Sequence, residues 1–191
     1  MGADIHSFAE VRKNGKWLRV EEPVFDDYGD TKTTEPFGWR SYAVFGFLAD
    51  VRNYSHCTPI SEPKGLPDDS EWLNSPSKYA YDVNPMSGEP IPENERETNK
   101  RDIQEDGNYH SMSWLTLKEL LDYDYEQTFW DRRVTKQTSP NGWNGAALAE
   151  EGEGQTITYR EHLGEGFFKE IEVLKTLGSS EDVRIVFWFD N

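Results

Sequence analysis

The sequence from Gly107 to Trp130, GNYHSMSWLTLKELLDYDYEQTFW, joins a polar cluster to the beginning of a helix. Thr116 is followed three residues later by Glu119, the capping-box pattern in which two side chains satisfy each other's backbone N–H groups. Leucines at 117, 120 and 121 follow at helical spacing. We therefore expect a helix that begins after Thr116, and a preceding loop that presents residues 110–114 at the edge of the core.

The C-terminal residues 182–190, DVRIVFWFD, are the clearest strand in the chain. Ile185, Phe187 and Phe189 alternate with Val186 and Trp188, so both faces of this strand are apolar. A strand of this kind is typical of the middle of a sheet. We expect it to pair with the first strand. The predicted fold is an α+β domain with a small, mostly antiparallel sheet, helices packed on one face, and long irregular insertions.

The first strand is predicted within residues 4–21, which read as a β-hairpin. Apolar residues flank Asn14-Gly15, and Asn-Gly is the strongest short turn signal. They are Ile5, Phe8, Val11, Trp17, Leu18 and Val20. Asp4 and His6 would share one face of this strand, because side chains two residues apart point the same way.

Three helices are predicted elsewhere in the chain. Residues 40–51 read as a buried helix that Ser41 caps. A short helix is expected over residues 69–73. Residues 167–177 carry a one-sided apolar stripe that ends at Gly178, which predicts a third helix.

The remaining segments are less regular. Residues 22–38 are acidic and rich in turn formers, and residues 84–108 read as a solvated insertion. Residues 123–136 favour a strand or extended segment, and a short β-prone piece follows at 155–159. Residues 139–154 are rich in glycine and predict a loop. Long loops in a compact domain are either functional or mobile, and the sequence leaves this open for 84–108 and 139–154.

Composition limits the classes of function. The 191 residues fit a single domain spanning 1–191, long enough to bury a core. Lys and Arg number 20 against 36 Asp and Glu, a formal net charge of -16. This charge argues against a nonspecific nucleic-acid binder and against binding to anionic membranes. It is compatible with simple solubility, with a basic protein partner, or with mimicry of DNA.

Cys57 is the single cysteine, so no internal disulfide can form and a reducing cytoplasm is expected. His56 precedes it, but chain neighbours rarely point at each other, so the pattern predicts a structural or surface thiol. The opening residues carry no secretion signal, and no apolar run reaches membrane-spanning length. The glycine-rich residues 141–154 lack the order of a phosphate-binding loop, and we predict no cofactor.

Several motifs together resemble a protein family of tailed bacteriophages and prophages, from the first residue to the last. They are MGADIH at 1–6, LADVRN at 48–53, PISEPKGLPDD at 59–69, HSMSWLTLKELL at 110–121 and VRIVFWFDN at 183–191. The family carries no settled reaction. The resemblance implies a phage accessory protein made in the cytoplasm of the bacterial host.

This chain departs from the family pattern at two positions. Ala3 stands where relatives have cysteine, and Met112 stands where relatives have a second histidine. A histidine at 112 would have formed a metal-ligand pair with His110, and a cysteine at 3 would have been a nucleophile or ligand. Both departures weaken the hypothesis of a metal-dependent reaction, and we assign no metal.

A polar site is predicted where the first strand approaches the segment before the central helix. Asp4 and His6 would meet His110 and Ser113 there. Histidine with carboxylate suits metal ligation or general base catalysis. A buried hydrogen-bond network and a ligand pocket are the alternatives. No catalytic residue can be assigned from the sequence.

Two arginines and two tryptophans indicate that the predicted site could bind a ligand that contains phosphate. Arg40 and Arg52 bracket the helix expected over 40–51, and arginine binds phosphate bidentately. Trp114 and Trp143 could stack on a base. The competing interpretation places the tryptophans in the core and pairs the arginines with some of the acids.

The first functional hypothesis is a protein that binds a small acidic or nucleotide-type ligand, sequestering a signal of bacterial antiviral defence. Arg40 and Arg52 would contact phosphate and Trp114 would stack. The second is a metal-dependent hydrolase of a phosphoester, with Asp4, His6 and His110 as ligands. The third is an acidic protein that binds a host protein or mimics DNA. The oligomeric state stays open, a homo-oligomer included.

Overall fold

The computed structural model describes residues 2–27, 31–137, 142 and 144–190. Its strands are β1 (Asp4–Lys13), β2 (Lys16–Arg19), β3 (Phe25–Asp26), β4 (Lys32–Thr33), β5 (His110–Thr116), β6 (Thr128–Asp131), β7 (Arg133–Gln137), β8 (Asn144–Leu148), β9 (Gln155–Thr158) and β10 (Val183–Asp190). Its α-helices are α1 (Tyr42–Ala49), α2 (Asn99–Glu105), α3 (Leu117–Asp122) and α4 (Tyr159–Leu177), and Glu93–Glu95 form a 3₁₀ turn. The predicted α+β fold class is confirmed.

A four-stranded antiparallel sheet in the order β2-β1-β10-β5 forms the centre of the protein. Strand β10 lies between β1 and β5, so Ile5 pairs with Phe189 on one side and Leu115 pairs with Ile185 on the other. The predicted central position of the C-terminal strand is confirmed, as is its pairing with the first strand. The strands β3-β4, β6-β9 and β7-β8 form separate two-stranded ribbons.

The turn between β1 and β2 is the predicted Asn-Gly turn. Asn14 has φ 52° and Gly15 has φ 79°, both in the left-handed region that this tight hairpin requires. The same turn sets the register of β2 against β1, in which Lys13 pairs with Lys16.

The two faces of the sheet bury different cores. Phe187 and Phe189 pack on the larger one with residues of α1, α3 and α4. Phe8 and Trp188 face the other way, into a smaller core that includes Ile103 of α2. The prediction of helices on one face therefore holds for α1, α3 and α4, while α2 covers the second face. We call the larger cluster the first core and the smaller one the second core.

Local signals position the helices of the first core. Ser41 caps α1 through a hydrogen bond from the Val44 N–H at 3.5 Å. At Gly46 an added Cβ would lie 2.9 Å from the Asn53 Oδ1, so this helix position needs glycine. The predicted capping box of α3 is confirmed, since Thr116 and Glu119 bond to each other's backbone N–H groups.

The segment before α3 corrects a prediction. Residues 110–114 are predicted to lie in a loop, but they belong to β5 and pair with β10. The ladder with β10 pairs one side of their backbone, and local sequence could not reveal this distant partner. A register shift lies between Phe187 and Phe189, opposite Ser111, whose φ of 51° is left-handed. This bulge changes which way the first residues of β5 point.

Other local predictions also change. Residues 69–73 form successive turns instead of a helix, with the Ser70 Oγ accepting from the Leu73 N–H at 3.1 Å. The 84–108 segment holds α2, which Thr98 caps and whose Ile103 is buried, so it is not wholly solvated.

The C-terminal half follows the predictions more closely. Strands β6 and β7 occupy the predicted extended segment and β9 is confirmed, but β8 forms inside the expected 139–154 loop. Trp143 lies outside the described residues. Helix α4 is interrupted at Gly164, whose φ of 74° and ψ of 172° are not helical. Thr158 and Glu161 form a second capping box that begins the first piece at Tyr159, and the piece after Gly164 contains the helix predicted over 167–177. In the described residues, no helix is long and apolar enough to cross a bilayer.

Candidate functional site

Three of the predicted site residues lie together at the end of the sheet where β1 begins. The Arg40 guanidinium contacts both oxygens of the Asp4 carboxylate, at 2.7 Å from Nε to Oδ1 and 2.5 Å from Nη2 to Oδ2. The Asp190 carboxylate accepts the Asp4 N–H at 3.2 Å, and its Oδ2 lies 3.1 Å from the His6 Nε2. The hydrogen bond from Arg40 lowers the pKa of Asp4. We call Asp4, His6, Arg40 and Asp190 the sheet-end cluster.

Two aromatic rings hold His6 in this cluster. Trp188 stacks on it with ring centroids 5.6 Å apart and an interplanar angle of 14°. Tyr109 contacts it at 5.2 Å between ring centroids. The sequence carried a signal for Trp188, because the predicted alternation of both strands places it on the same face as its cross-strand partner His6. No pattern in the sequence indicated the contact between Tyr109 and His6.

His110 does not join His6. Its ring stacks on Phe189 with centroids 6.2 Å apart, and its Nδ1 lies 3.0 Å from the Ser111 Oγ. Phe189 belongs to the first core, whereas Trp188, the contact of His6, belongs to the second. The two histidines therefore contact opposite faces of β10, and Asp4, His6 and His110 do not assemble a metal-ligand set. No group of three or more His, Cys, Asp or Glu side chains in the described parts of the chain has a metal-binding arrangement.

Ser113 and Trp114 have structural contacts of their own. The buried Ser113 Oγ accepts the Lys64 N–H at 3.0 Å and so joins β5 to the loop over residues 59–69. The Lys64 ammonium lies 4.3 Å from the centroid of the Trp114 ring. The Arg184 guanidinium lies 5.4 Å from the same ring. Trp114 is thus stacked with cations of its own chain.

Arg52 lies in the turn after α1, with φ 50°. Arg40 precedes the same helix, whose eight residues span about 12 Å. The two arginines that were predicted to share a phosphate are thus separated by the length of this helix.

A buried ion pair that the sequence analysis missed crosses the second face of the sheet. Glu10 and Arg184 are cross-strand partners, with 2.7 Å between the Arg184 Nε and the Glu10 Oε2. Arg184 also contacts Asp69 at 2.8 Å, and the Ser70 hydroxyl donates to Glu10. The Trp17 ring centroid lies 4.1 Å from the Arg184 guanidinium carbon. These contacts fasten residues 69–70 to the sheet, which is a structural role.

A group of carboxylates lines a cavity of about 520 Å³ beside α2. Tyr79, Tyr81 and Ile91 supply its apolar lining. The rest of the lining is acidic: Glu95, Glu97, Asp102, Glu105 and Asp106. We call this cavity the acidic cleft. Most of these residues lie in the segment predicted to be a solvated insertion. Residues 82–106 contain eight acids and only three bases, which is the signal in the sequence for this cleft.

The three bases of this segment make their shortest contacts outside the cleft carboxylates. Arg96 pairs with Asp82 at 2.9 Å, and Lys100 pairs with Asp68. Arg101 donates to the backbone carbonyl of Glu95 at 2.8 Å. It reaches one cleft acid, Glu105, only at 4.0 Å. The cleft therefore keeps most of its negative charge.

Cys57 offers no reactive thiol. It is buried, its Sγ lies 3.3 Å from the Asn53 Oδ1, and burial raises its pKa to about 12. A thiol becomes nucleophilic as the thiolate, so this residue is structural, in agreement with the sequence prediction.

Comparisons with protein-family models, with curated proteins and with solved structures found no match to this chain. The resemblance to phage proteins therefore stays a prediction.

Proposed function

We propose that this protein is a non-catalytic binding protein that engages a positively charged partner through the acidic cleft. The observation that supports the proposal is the lining of this cavity, in which five carboxylates and two tyrosines occur with no lysine or arginine. Concave sites with a few convergent polar groups are the usual form of binding sites. The chemistry of this one matches a cation.

The charge of the whole chain supports the same partner class. A net charge of -16 attracts a basic surface over a distance of roughly 10 Å, the screening length near 0.1 M salt. Complementary potentials of this kind accelerate association and select among partners. The partner is therefore expected to be basic near its binding segment.

The resemblance to tailed-phage proteins extends the proposal to a biological setting. On that resemblance the protein is an accessory protein made in the host cytoplasm, and its partner is a protein of the bacterial host. This version develops the third hypothesis from the sequence, an acidic protein that binds a host protein.

Binding of a flexible peptide in which lysine alternates with serine tests the proposal. Fluorescence anisotropy at about 50 mM and about 300 mM salt should show binding that weakens as salt rises. The variant Glu95→Gln/Glu105→Gln should bind several-fold more weakly than the control variant Glu22→Gln/Glu151→Gln, which removes the same charge elsewhere. Absence of binding at the lower salt, or equal losses in both variants, would overturn the proposal.

A nucleotide-type ligand at the sheet-end cluster is a second proposal, supported by the proximity of Arg40, Asp4 and His6. A phosphate would have to compete with Asp4 for the Arg40 guanidinium. Calorimetry against cyclic nucleotides and ADP-ribose derivatives should give heat that Arg40→Met abolishes. No heat from any of these compounds would end this proposal. A metal-dependent hydrolase is less well supported, because His6 and His110 contact opposite faces of β10.

A further inference from the structure

We infer that the group bound by the acidic cleft is the side-chain ammonium of a partner lysine, which packs on the ring of Tyr79 in the place now held by Lys78. This inference rests on the proposed function and specifies its ligand. It follows from a cation of this chain that contacts Tyr79, a residue of the cleft lining, from the exposed rings of the cleft, and from the carboxylates that line the cavity.

Lys78 is the first of these observations. Its Nζ lies 4.8 Å from the centroid of the Tyr79 ring, within the range of a cation–π contact. A hydrogen bond with the Tyr79 hydroxyl raises the pKa of Lys78, and the carboxylate of Asp102 adds to this effect. Lys78 is an exposed residue on a loop. A lysine ammonium from another chain can therefore make the same contacts if Lys78 moves aside.

The two tyrosines provide apolar surface that the core does not use. Tyr79 is 56% exposed and Tyr81 is 60% exposed, so both present ring surface to solvent. Both line the cavity together with Ile91. A lysine carries four methylene groups behind its ammonium, and such stems pack along apolar surface while the charged end contacts polar groups. The cleft offers both kinds of surface within one cavity.

The carboxylates provide acceptors for the ammonium. A lysine ammonium donates three hydrogen bonds and accepts none. Glu97, one of the lining residues, has a carboxylate oxygen, Oε1, that is shielded from solvent and accepts no hydrogen bond within the described residues. A shielded acceptor of this kind is costly to leave unsatisfied, so a donor from a ligand would gain from reaching it.

The walls of the cleft are held in place before any ligand binds. Thr98 caps α2 by accepting the Arg101 N–H at 3.3 Å, and Ile103 anchors the helix in the second core. The Asn99 side chain donates to the Trp72 carbonyl at 2.9 Å. A preformed site loses less conformational entropy on binding, which favours affinity from few contacts.

The inference predicts opposite effects at neighbouring residues. Lys78→Met removes the competing cation and should tighten binding of the lysine-serine peptide about two- to fivefold, the range of an exposed cation–π contact. Lys13→Met makes the same change in net charge at an exposed lysine outside the cleft, and should have less effect. Tyr79→Leu should weaken binding by a similar factor, while Tyr79→Phe, which keeps the ring, should retain most of it.

Fluorescence anisotropy with the full chain measures all four variants, with thermal unfolding as the check that each is folded. A matched peptide with every lysine acetylated should not bind, since acetylation removes the charge. If the lysine peptide binds but Lys78→Met equals Lys13→Met and Tyr79→Leu equals wild type, this inference is wrong and the proposed function stands. If neither peptide binds, both fail. If free spermidine binds more tightly than the peptide, the ligand is a polyamine and the inference of a partner lysine is overturned.

Discussion

Two groups of charged side chains in this protein are arranged in opposite ways. Glu10 and Arg184 are 0% and 2% exposed, and each contacts the other and a further polar group. The acidic cleft instead gathers five carboxylates around a cavity with no base in its lining. Both groups lie on the side of the second core, one inside it and one at its edge.

The difference follows from the cost of removing charge from water. Burying an ion costs several kcal/mol, so an interior charge persists only with a partner in good geometry. Like charges at a water-filled surface repel one another weakly, because water has a high dielectric constant. The buried pair therefore orders residues of its own chain, whereas the cleft carboxylates keep most of their charge without a base in the cavity lining.

Removal of one partner of the buried pair should have the largest effect. Arg184→Met leaves Glu10 buried without its cation, and should lower the free energy of unfolding by about 3–5 kcal/mol in denaturant titrations. The double variant Glu10→Met/Arg184→Met should recover much of this loss, because no unpaired charge remains. A loss below about 1 kcal/mol in the single variant would show that the buried pair does not differ from the cleft carboxylates in its contribution to stability.

Glu170 tests the same rule with a buried carboxylate that has no base. It is 1% exposed, and its Oε1 accepts the Asp26 N–H at 3.0 Å. Burial raises its pKa from 4.5 to about 7, while hydrogen bonds from the backbone of Asp26 and Phe37 oppose the shift. Because the folded state holds this proton more tightly, the free energy of unfolding should fall as pH rises from 4.5 through about 7.

Glu170→Gln should remove that pH dependence. At pH 8 the variant should be more stable than the wild type by up to about 3 kcal/mol, and the gain should vanish below pH 4.5. Denaturant unfolding across this pH range measures the effect. Glu172→Gln, at an exposed position of the same helix, is the control and should follow the wild-type curve. Parallel curves for Glu170→Gln and wild type would show that Glu170 is ionised in the fold.

The exposed pair of the sheet-end cluster should contribute less than the buried pair. Arg40→Met should lower the free energy of unfolding by at most about 1 kcal/mol, since exposed ion pairs are weak and screened by salt. The loss should shrink as salt rises, unlike the loss in Arg184→Met. A larger loss of unfolding free energy that does not depend on salt would show that Arg40 stabilises the fold as the buried Glu10–Arg184 pair does.

The cleft acids should contribute least to stability. Glu95→Gln/Glu105→Gln should leave the free energy of unfolding within about 0.5 kcal/mol of wild type, while it weakens peptide binding. Thermal or denaturant unfolding measures the first effect. A marked loss of stability would mean that these carboxylates act within the fold instead of serving a ligand.

Part of the fold could be predicted because its determinants are local. The Asn14-Gly15 turn and the Thr116–Glu119 capping box each involve residues within a few positions of one another. The sequence pattern of β10 also sufficed to predict its central position, since a strand that is apolar on both faces is buried in the middle of a sheet. The short helix expected over 69–73 failed because Ser70 and Asp69 bond to distant partners, Glu10 and Arg184.

The candidate site could be predicted only in part. Asp4, His6 and Arg40 do lie at one end of the sheet, but His110 and Trp114 face different surroundings. The bulge opposite Ser111 changes the register of β5, and a shift of one residue in a strand moves a side chain to the other face. No short-range pattern in the sequence reports such a shift.

The sequence by itself determined the Asn14-Gly15 turn, the caps of α1 and α3, the central strand and the strongly negative charge of this protein. These features depend on neighbouring residues or on composition alone. Only the tertiary structure decided which acids are paired and which remain around the cleft, because that depends on contacts between residues far apart in the chain. The pairing of Glu10 with Arg184 and the exposure of Tyr79 beside the cleft acids both arise in this way.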